Sequence, residues 1–287
     1  MLRNLRILVL SVTVLGVTFA PSQAWTADLG TVILRAGAVG AVVQAAAPEL
    51  DKFINTVTLK GNAPKGISTK VVPILSVGEK AYVGAAQVAG PGSSVKQVKA
   101  IWLYEDNFSQ NEFRLKVLAP TASLNPLQFK RVRNVGISAV IDVALDGRWK
   151  GQTISRGIGL GDVLKVGVVA VAINAAAKPL NSAINSITGN SSANTKIVPI
   201  ATIGDKAYIG GVQVTGAGSA VSTVKAVYQY ENLFDNAKFR IKAFVPSKSS
   251  SPLKISRVQG FGITALIDTS IADQETVRER RRVWVAS

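Results

Sequence analysis

The chain has 287 residues and a formal net charge of +16, and it contains neither cysteine nor histidine. These two absences exclude from this chain a Ser-His-Asp triad, a cysteine nucleophile, disulfide bonds and metal sites built on imidazole or thiolate ligands. The apolar content of 47% excludes a disordered chain, so the fold must rest on buried apolar side chains.

The first 24 residues have the three parts of a secretory signal peptide. Arg3 and Arg6 form a basic start, an apolar stretch follows over residues 7–19, and Ser22 and Ala24 supply small residues before a cleavage site. A membrane anchor fits less well, because a membrane span needs about 20 apolar residues. We therefore expect cleavage near Ala24 and a secreted, periplasmic or cell-envelope location.

The rest of the chain contains an internal duplication. Residues 69–142 align with residues 195–268 without a gap, and 36 of the 74 positions are identical. Upstream, residues 45–58 match residues 175–188 at an offset that is four residues larger. The sequence thus predicts a signal peptide (1–24), repeat unit 1 (25–145), a linker (146–158), repeat unit 2 (159–270) and a basic C-terminal tail (271–287).

Each unit begins with a stretch rich in alanine and valine that predicts a helix. Proline removes a backbone donor and clashes with the preceding turn, so we expect the first helix to be broken or restarted at Pro48; the second copy has Pro179. The stretches 36–47 and 166–177 are apolar on every side. Such helices are expected to be buried between layers.

Alternating segments follow each helix and predict about five antiparallel strands. The first two are expected to form a hairpin whose turn is Gly78-Glu79 in the first copy and Gly204-Asp205 in the second. The predicted fold class is α+β: a tandem duplication in which each unit is one long apolar helix followed by about five antiparallel strands, a meander packed on the helix.

Few catalytic arrangements survive the composition. Ser93 and Lys96 have the S-x-x-K spacing but no partner motifs, and the second copy lacks the lysine. Glu105 and Asp142, which recur in the second copy, form a carboxylate pair, but the pattern favours a structural role, in which Glu105 ends an exposed strand and Asp142 pairs with an arginine or caps a turn. We therefore expect no enzymatic activity, no cofactor and no metal.

Six positions are cationic in both copies, which makes them the candidate anion-binding residues. Residues at i and i+2 of a strand share a face, so these side chains predict a basic sheet surface. The alternative is that they are ordinary polar-face residues paired with carboxylates such as Glu105 and Asp142. The positions are Lys70 and Lys196, Lys80 and Lys206, Lys99 and Lys225, Arg114 and Arg240, Lys116 and Lys242, and Arg131 and Arg257.

A diffuse positive charge on an exported protein favours anionic partners. We expect a non-enzymatic binding or structural protein of the cell envelope or extracellular space that engages anionic or amphiphilic partners through its basic sheet surface. The expected partners are an anionic cell-wall polymer, a polysaccharide or lipid headgroups, and export argues against nucleic acid. Two alternatives stay open: a carrier of a lipid or other apolar ligand in a cavity between helix and sheet, and a self-assembling surface protein or homo-oligomer.

Overall fold

The computed structural model describes residues 29–58, 65–76, 83–109, 112–125, 128–143, 160–203, 209–216, 218–236, 238–252 and 254–269. The predicted signal peptide, linker and basic tail lie outside these residues, and so do the two predicted hairpin turns. These predictions stay predictions.

The two halves have the same order of elements. The first half contains α1 (Leu29–Val57), β1 (Ile67–Ser76), β2 (Val83–Pro91), α2 (Gly92–Gln97), β3 (Ala100–Phe108), β4 (Phe113–Thr121) and β5 (Gly136–Val143). The second half contains α3 (Leu160–Thr188), a 3-10 turn (Ser192–Asn194), β6 (Thr195–Ile203), β7 (Ile209–Gly216), a 3-10 segment (Gly218–Thr223), β8 (Ala226–Phe234), β9 (Phe239–Ser247) and β10 (Phe261–Thr269).

The ten strands form one closed barrel in the order β1–β2–β5–β9–β8–β6–β7–β10–β4–β3. The halves are joined by three strand pairings, because β5 pairs with β9, β10 pairs with β4, and β10 also pairs with β5 at Ile263 and Ile137. Within the first half β5 pairs with β2, and β1 runs parallel to β3. The predicted α+β fold, with a separate helix-plus-meander in each unit, is therefore wrong. Alternation shows which side chains share a face, but it does not identify the neighbouring strand.

One apolar cluster fills the barrel interior, and both halves contribute to it. It is rich in β-branched residues, including Val72, Ile74 and Ile137 from the first half and Val198, Ile200 and Ile263 from the second. Val95 of α2 and Val221 of the second 3-10 segment belong to the same cluster. These two short segments therefore close one end of the barrel, which we call the closed end.

The long helices lie on the outside of the barrel. Val43, Leu50 and Ile54 of α1 pack on outward side chains of β1, β2, β5 and β9, so the first helix covers a strand of the second half. In the same way α3 packs on β4, β6 and β10. This crossed packing makes each helix part of the junction between the halves.

Among the side chains that the structure describes, only one face of each long helix is buried. Val171 of α3 is 71% exposed, so the expected burial of this helix between layers is wrong. Both helices continue through Pro48 and Pro179, which are exposed, and the break expected at Pro48 is also wrong. On the solvent side a carbonyl that loses its helical donor can bond to water. No described helix has the length and apolar content to cross a membrane.

Two equivalent glycines bring the halves into backbone contact near the closed end. Gly136 begins the strand β5, and Gly262 is the second residue of β10. A Cβ atom on Gly262 would lie 2.4 Å from the carbonyl carbon of Gly136, and a Cβ atom on Gly136 would lie 2.7 Å from Gly262. Glycine is therefore needed at both positions because the two backbones touch.

Candidate functional site

The end of the barrel opposite α2 carries charged side chains on the inner face of its strands. In β4, Leu118 belongs to the interior cluster, so alternation places Lys116 and Arg114 on the same inner face, nearer the start of the strand. The same reasoning applies to β3, β5, β8, β9 and β10. We call this set the charged end: Glu105, Arg114, Lys116, Asp142, Glu231, Arg240, Lys242 and Asp268.

Asp142 is the most buried member of the charged end, with only 6% of its side chain exposed. Its Oδ2 accepts a hydrogen bond from Arg240 Nε at 2.7 Å, and Lys242 Nζ lies 3.1 Å from the same oxygen. Asp142 belongs to the first half and both cations belong to the second. These ion pairs therefore hold the β5–β9 junction together.

The equivalent residues at the β10–β4 junction are arranged differently. Lys116 Nζ lies 3.2 Å from Asp268 Oδ2, but Asp268 is 28% exposed. Arg114 forms its ion pair with Glu105 on the neighbouring strand β3, and the side chain of Arg114 is 46% exposed. The hydrogen bond to Glu105 raises the pKa of Arg114 above its ordinary value. Arg240 in the second copy thus pairs with a buried carboxylate, and Arg114 in the first copy pairs with an exposed one.

The charged end has no formal net charge, because its four cationic side chains are matched by four carboxylates. Of the cations in it, Arg114 is the most exposed at 46%, and Arg240 is the least exposed at 22%. Lys116 and Lys242 are nearly equal at 30% and 28%, so the two copies differ in the exposure of their arginines.

Two more of the predicted cations have structural partners at the closed end. Lys70 Nζ donates a hydrogen bond to the carbonyl of Val98 at 2.7 Å. Its counterpart Lys196 donates to the carbonyls of Ser222 and Val224 at 3.0 and 2.8 Å. Each ammonium group thus ties the first strand of its half to the segment that precedes the third strand.

Four other lysines also belong to the predicted anion-binding set. Lys99 and Lys225 are exposed at the closed end, beside the starts of β3 and β8. Lys80 and Lys206 lie outside the described residues. The structure therefore divides the predicted set between the two ends of the barrel and does not bring all of it onto one surface.

Arg131 is fully engaged by backbone and amide oxygens. Its Nε donates to the carbonyl of Thr188, the last residue of α3, at 2.9 Å, and its Nη1 donates to Pro120 and Val132 at 3.1 and 2.8 Å. Its Nη2 donates to Asn190 Oδ1 at 3.2 Å. Burial, and then the neighbouring Arg133, lower the pKa of Arg131. A cation at a helix C-terminus stabilises the helix dipole, so this residue anchors α3.

Arg257 occupies the equivalent position in the second copy but lacks these partners. Within the described residues its guanidinium makes one hydrogen bond, from Nε to Gln259 Oε1 at 3.2 Å. Its Nη1 is buried and has no hydrogen-bond partner. Burial lowers the pKa of Arg257. A buried donor left without an acceptor lowers the stability of the folded state, so the unpaired Nη1 of Arg257 needs an explanation.

A polar network that was not predicted from the sequence recurs between each long helix and the barrel. Gln87 is fully buried; its Nε2 donates to Asp51 Oδ1 at 2.8 Å, and the hydroxyl of Ser138 donates to its Oε1 at 2.6 Å. Gln213 is its counterpart and donates to Asn181 Oδ1 at 2.9 Å. A glutamine retained in both copies of an apolar strand was the available signal, because buried amides need partners.

The enzymatic arrangements considered from the sequence fall in different places. Ser93 and Lys96 lie on α2 at the closed end, and both are exposed. Glu105 and Asp142 lie at the charged end, where cations engage each of them. Among the described residues no group of three or more acidic side chains is placed to hold a metal ion.

Comparison of the chain with protein-family models, with curated proteins and with solved structures found no match.

Proposed function

We propose that this is an exported, non-enzymatic binding protein that takes anionic groups of a polymer at the charged end of the barrel. The observation that carries the proposal is the exposure of Arg114. Among the described residues, the one carboxylate that forms an ion pair with Arg114 is that of Glu105, which is also exposed. Polymers of the cell envelope or the extracellular space that carry phosphate, sulfate or carboxylate groups have the required chemistry.

A ligand can take the place of Glu105 at little cost. Both members of the Arg114–Glu105 pair are partly exposed, at 46% and 34%. Exposed ion pairs contribute only about 0–1 kcal/mol, because water already screens both charges. An oxyanion that binds the planar guanidinium at two points recovers this energy and adds geometric fit.

Lys116 supplies a second cation beside Arg114. The two residues are two positions apart on the same face of β4, which places them about 7 Å apart along the strand. Lys116 is 30% exposed and is paired with the partly exposed Asp268. A polymer with repeated anionic groups can therefore contact both side chains, and the net charge of +16 favours its approach.

The second-copy cations have a different role in this proposal. Arg240 and Lys242 share the buried carboxylate of Asp142, and releasing a buried carboxylate from its partners is costly. These two residues therefore support the barrel, and the first-copy pair faces the ligand.

The two alternative functions have less support. An apolar carrier needs a cavity between helix and sheet, but Leu50 and Ile54 of α1 pack directly against Val71 and Ile141. Self-assembly through unpaired edge strands needs a free edge, and the ten described strands close on themselves. Both alternatives stay predictions.

The test measures binding of fluorescent dextran sulfate to the purified full chain, with neutral dextran as the control polymer. The double variant Arg114→Gln/Lys116→Gln should bind about five- to tenfold more weakly, as expected for two partly exposed charge contacts. The matched control Lys99→Gln/Lys225→Gln removes the same charge at the closed end and should change the dissociation constant less than about twofold.

Salt provides the second readout of the same experiment. Binding by the native chain should weaken steeply as ionic strength rises, because exposed charges are screened beyond about 8–10 Å at ordinary salt. Equal losses in the two double variants would show that only total charge matters, and binding that persists at high salt would show that charge contacts do not carry it. Either result contradicts the proposal.

A further inference from the structure

The pocket beside Arg257 has features of a binding site separate from the charged end. Its volume is about 350 Å³, at the lower limit of pockets that hold small molecules. The residues that define its character are Asn55, Ile67, Ser68, Arg257, Gln259 and Phe261. It therefore combines a guanidinium with apolar walls at the closed end of the barrel.

The two copies of the duplication surround this arginine differently. In the first copy the corresponding space is occupied by the end of α3, where the carbonyl of Thr188 and the amide of Asn190 bind Arg131. The connection from α1 to β1 is four residues longer than the connection from α3 to β6. Thr58, the counterpart of Thr188, makes no hydrogen bond with Arg257.

The unpaired edge of the guanidinium suits an oxyanion. Nε donates to Gln259 at 3.2 Å, whereas Nη1 finds no acceptor among the described residues and is covered by protein atoms. Arg257 lines the pocket, so a carboxylate in the pocket reaches Nη1 when the guanidinium turns toward it. The Nη1 and Nη2 groups form a planar edge that matches the two oxygens of a carboxylate. A neutral ligand would leave the buried charge without compensation.

The remaining walls set the size and polarity of the ligand. Ile67 and Phe261 present apolar surface on one side. The carboxylate of Asp51 is engaged in the network between helix and barrel, where it accepts hydrogen bonds from Asn55 at 3.1 Å and from Thr69 at 2.9 Å. The hydroxyl of the exposed Ser68 lies at the rim.

We propose that this pocket binds a small organic acid, whose carboxylate pairs with Arg257 and whose apolar part lies against Ile67 and Phe261. The site is independent of the proposed polymer site, because the two lie at opposite ends of the barrel. In this proposal Arg257 binds a ligand, whereas its counterpart Arg131 anchors the end of α3.

Calorimetric titration of the full chain at pH 7 and constant ionic strength tests this proposal, with benzoate, its neutral analogue benzamide, and acetate as probes. The native chain should bind benzoate saturably, and benzamide and acetate at least about tenfold more weakly, because each lacks one part of the recognition. Arg257→Gln should weaken benzoate binding by at least about tenfold as well.

A second variant keeps the test decisive if Arg257→Gln does not fold. Gln259→Glu retains the acceptor for Arg257 Nε and adds a negative charge, so it should keep the fold and weaken benzoate binding by at least about tenfold. Arg114→Gln/Lys116→Gln should leave benzoate binding unchanged, which separates this site from the proposed polymer site. The proposal is overturned if the native chain does not bind benzoate saturably, if benzamide binds as tightly, or if Gln259→Glu binds benzoate like the native chain.

Discussion

Asp142 in β5 accepts a hydrogen bond from Arg240 in β9 at 2.7 Å and thereby joins a strand of the first half to a strand of the second. Lys242 adds a second cation at 3.1 Å. The carboxylate is almost completely buried, and both of these cations belong to the other copy. We therefore expect the stability of both halves to depend on this ion pair at the β5–β9 junction.

The substitution Asp142→Asn should destabilise the protein by about 2–4 kcal/mol, because it leaves Arg240 and Lys242 without their shared carboxylate. The effect should fall below the largest values for buried pairs, since both cations are partly exposed. The equivalent substitution Asp268→Asn is a matched control and should cost less than about 1 kcal/mol, because that pair is more exposed. Urea denaturation measures both, and equal losses would contradict the assigned difference between the copies.

The two equivalent arginines at the closed end should also respond differently to the same substitution. Arg131→Gln should cost about 3 kcal/mol or more, because it removes hydrogen bonds from a charged donor to three carbonyls and an amide. Arg257→Gln should change stability by less than about 1 kcal/mol, because it removes one hydrogen bond and a buried donor that has no acceptor. Thermal and urea unfolding of the two variants provide the comparison, and a larger loss at Arg257 would contradict it.

The pH dependence of stability should reveal the burial of Tyr228, a residue of β8. Burial raises the pKa of Tyr228 to about 12 from its ordinary value of 10.0, and its hydroxyl donates to the carbonyl of Ser249 at 3.2 Å. Because the folded state keeps this proton more tightly, the stabilisation is complete below pH 10 and is lost as pH rises from 10 to 12.

The variant Tyr228→Phe isolates this contribution. The native chain should be the more stable of the two at pH 9, and the difference should shrink as pH is raised toward 12, because only the native chain loses the tyrosine contribution. Urea denaturation at pH 9, 10 and 11 measures the difference, in which the other titrating groups cancel. A difference that stays constant or grows over this range would contradict the assignment.

The sequence showed the duplication and the alternation of the strands, but it did not show how the strands pair. In FRLKVLAP, residues 113–120, the alternation separates Phe113 and Leu115 from Arg114 and Lys116. The sequence predicts that the apolar face of this strand packs on the helix of its own unit. In the structure it packs on α3 of the other half. Because Leu118 shares the inner face with the two cations, the barrel buries both faces of the strand, and no single-strand pattern specifies that.

Local sequence also could not distinguish the two copies of each cation. Arg114 and Arg240 have similar neighbours in β4 and β9, with Leu115 in one copy and Ile241 in the other, yet one arginine pairs with Glu105 and the other with Asp142. Arg131 and Arg257 are equivalent as well, but only Arg131 meets the end of a helix. The four-residue difference between the helix–strand connections is visible in the sequence, but the groups that pack against each arginine are not.

The central claim is that both halves build one barrel and hence one charged end. Ala139 in β5 and Ala243 in β9 are directly paired, buried and small, and paired strand residues lie at Cα separations of about 4.5–5.5 Å, within the range that a disulfide spans. Because the native chain has no cysteine, Ala139→Cys/Ala243→Cys introduces a single defined pair, with the two single-cysteine variants as controls for intermolecular bonding. After mild oxidation, denaturation and tryptic cleavage, mass spectrometry should find the two cysteine peptides joined within one chain. A folded double variant whose cysteines remain unlinked would contradict the interleaved barrel and the charged end that depends on it.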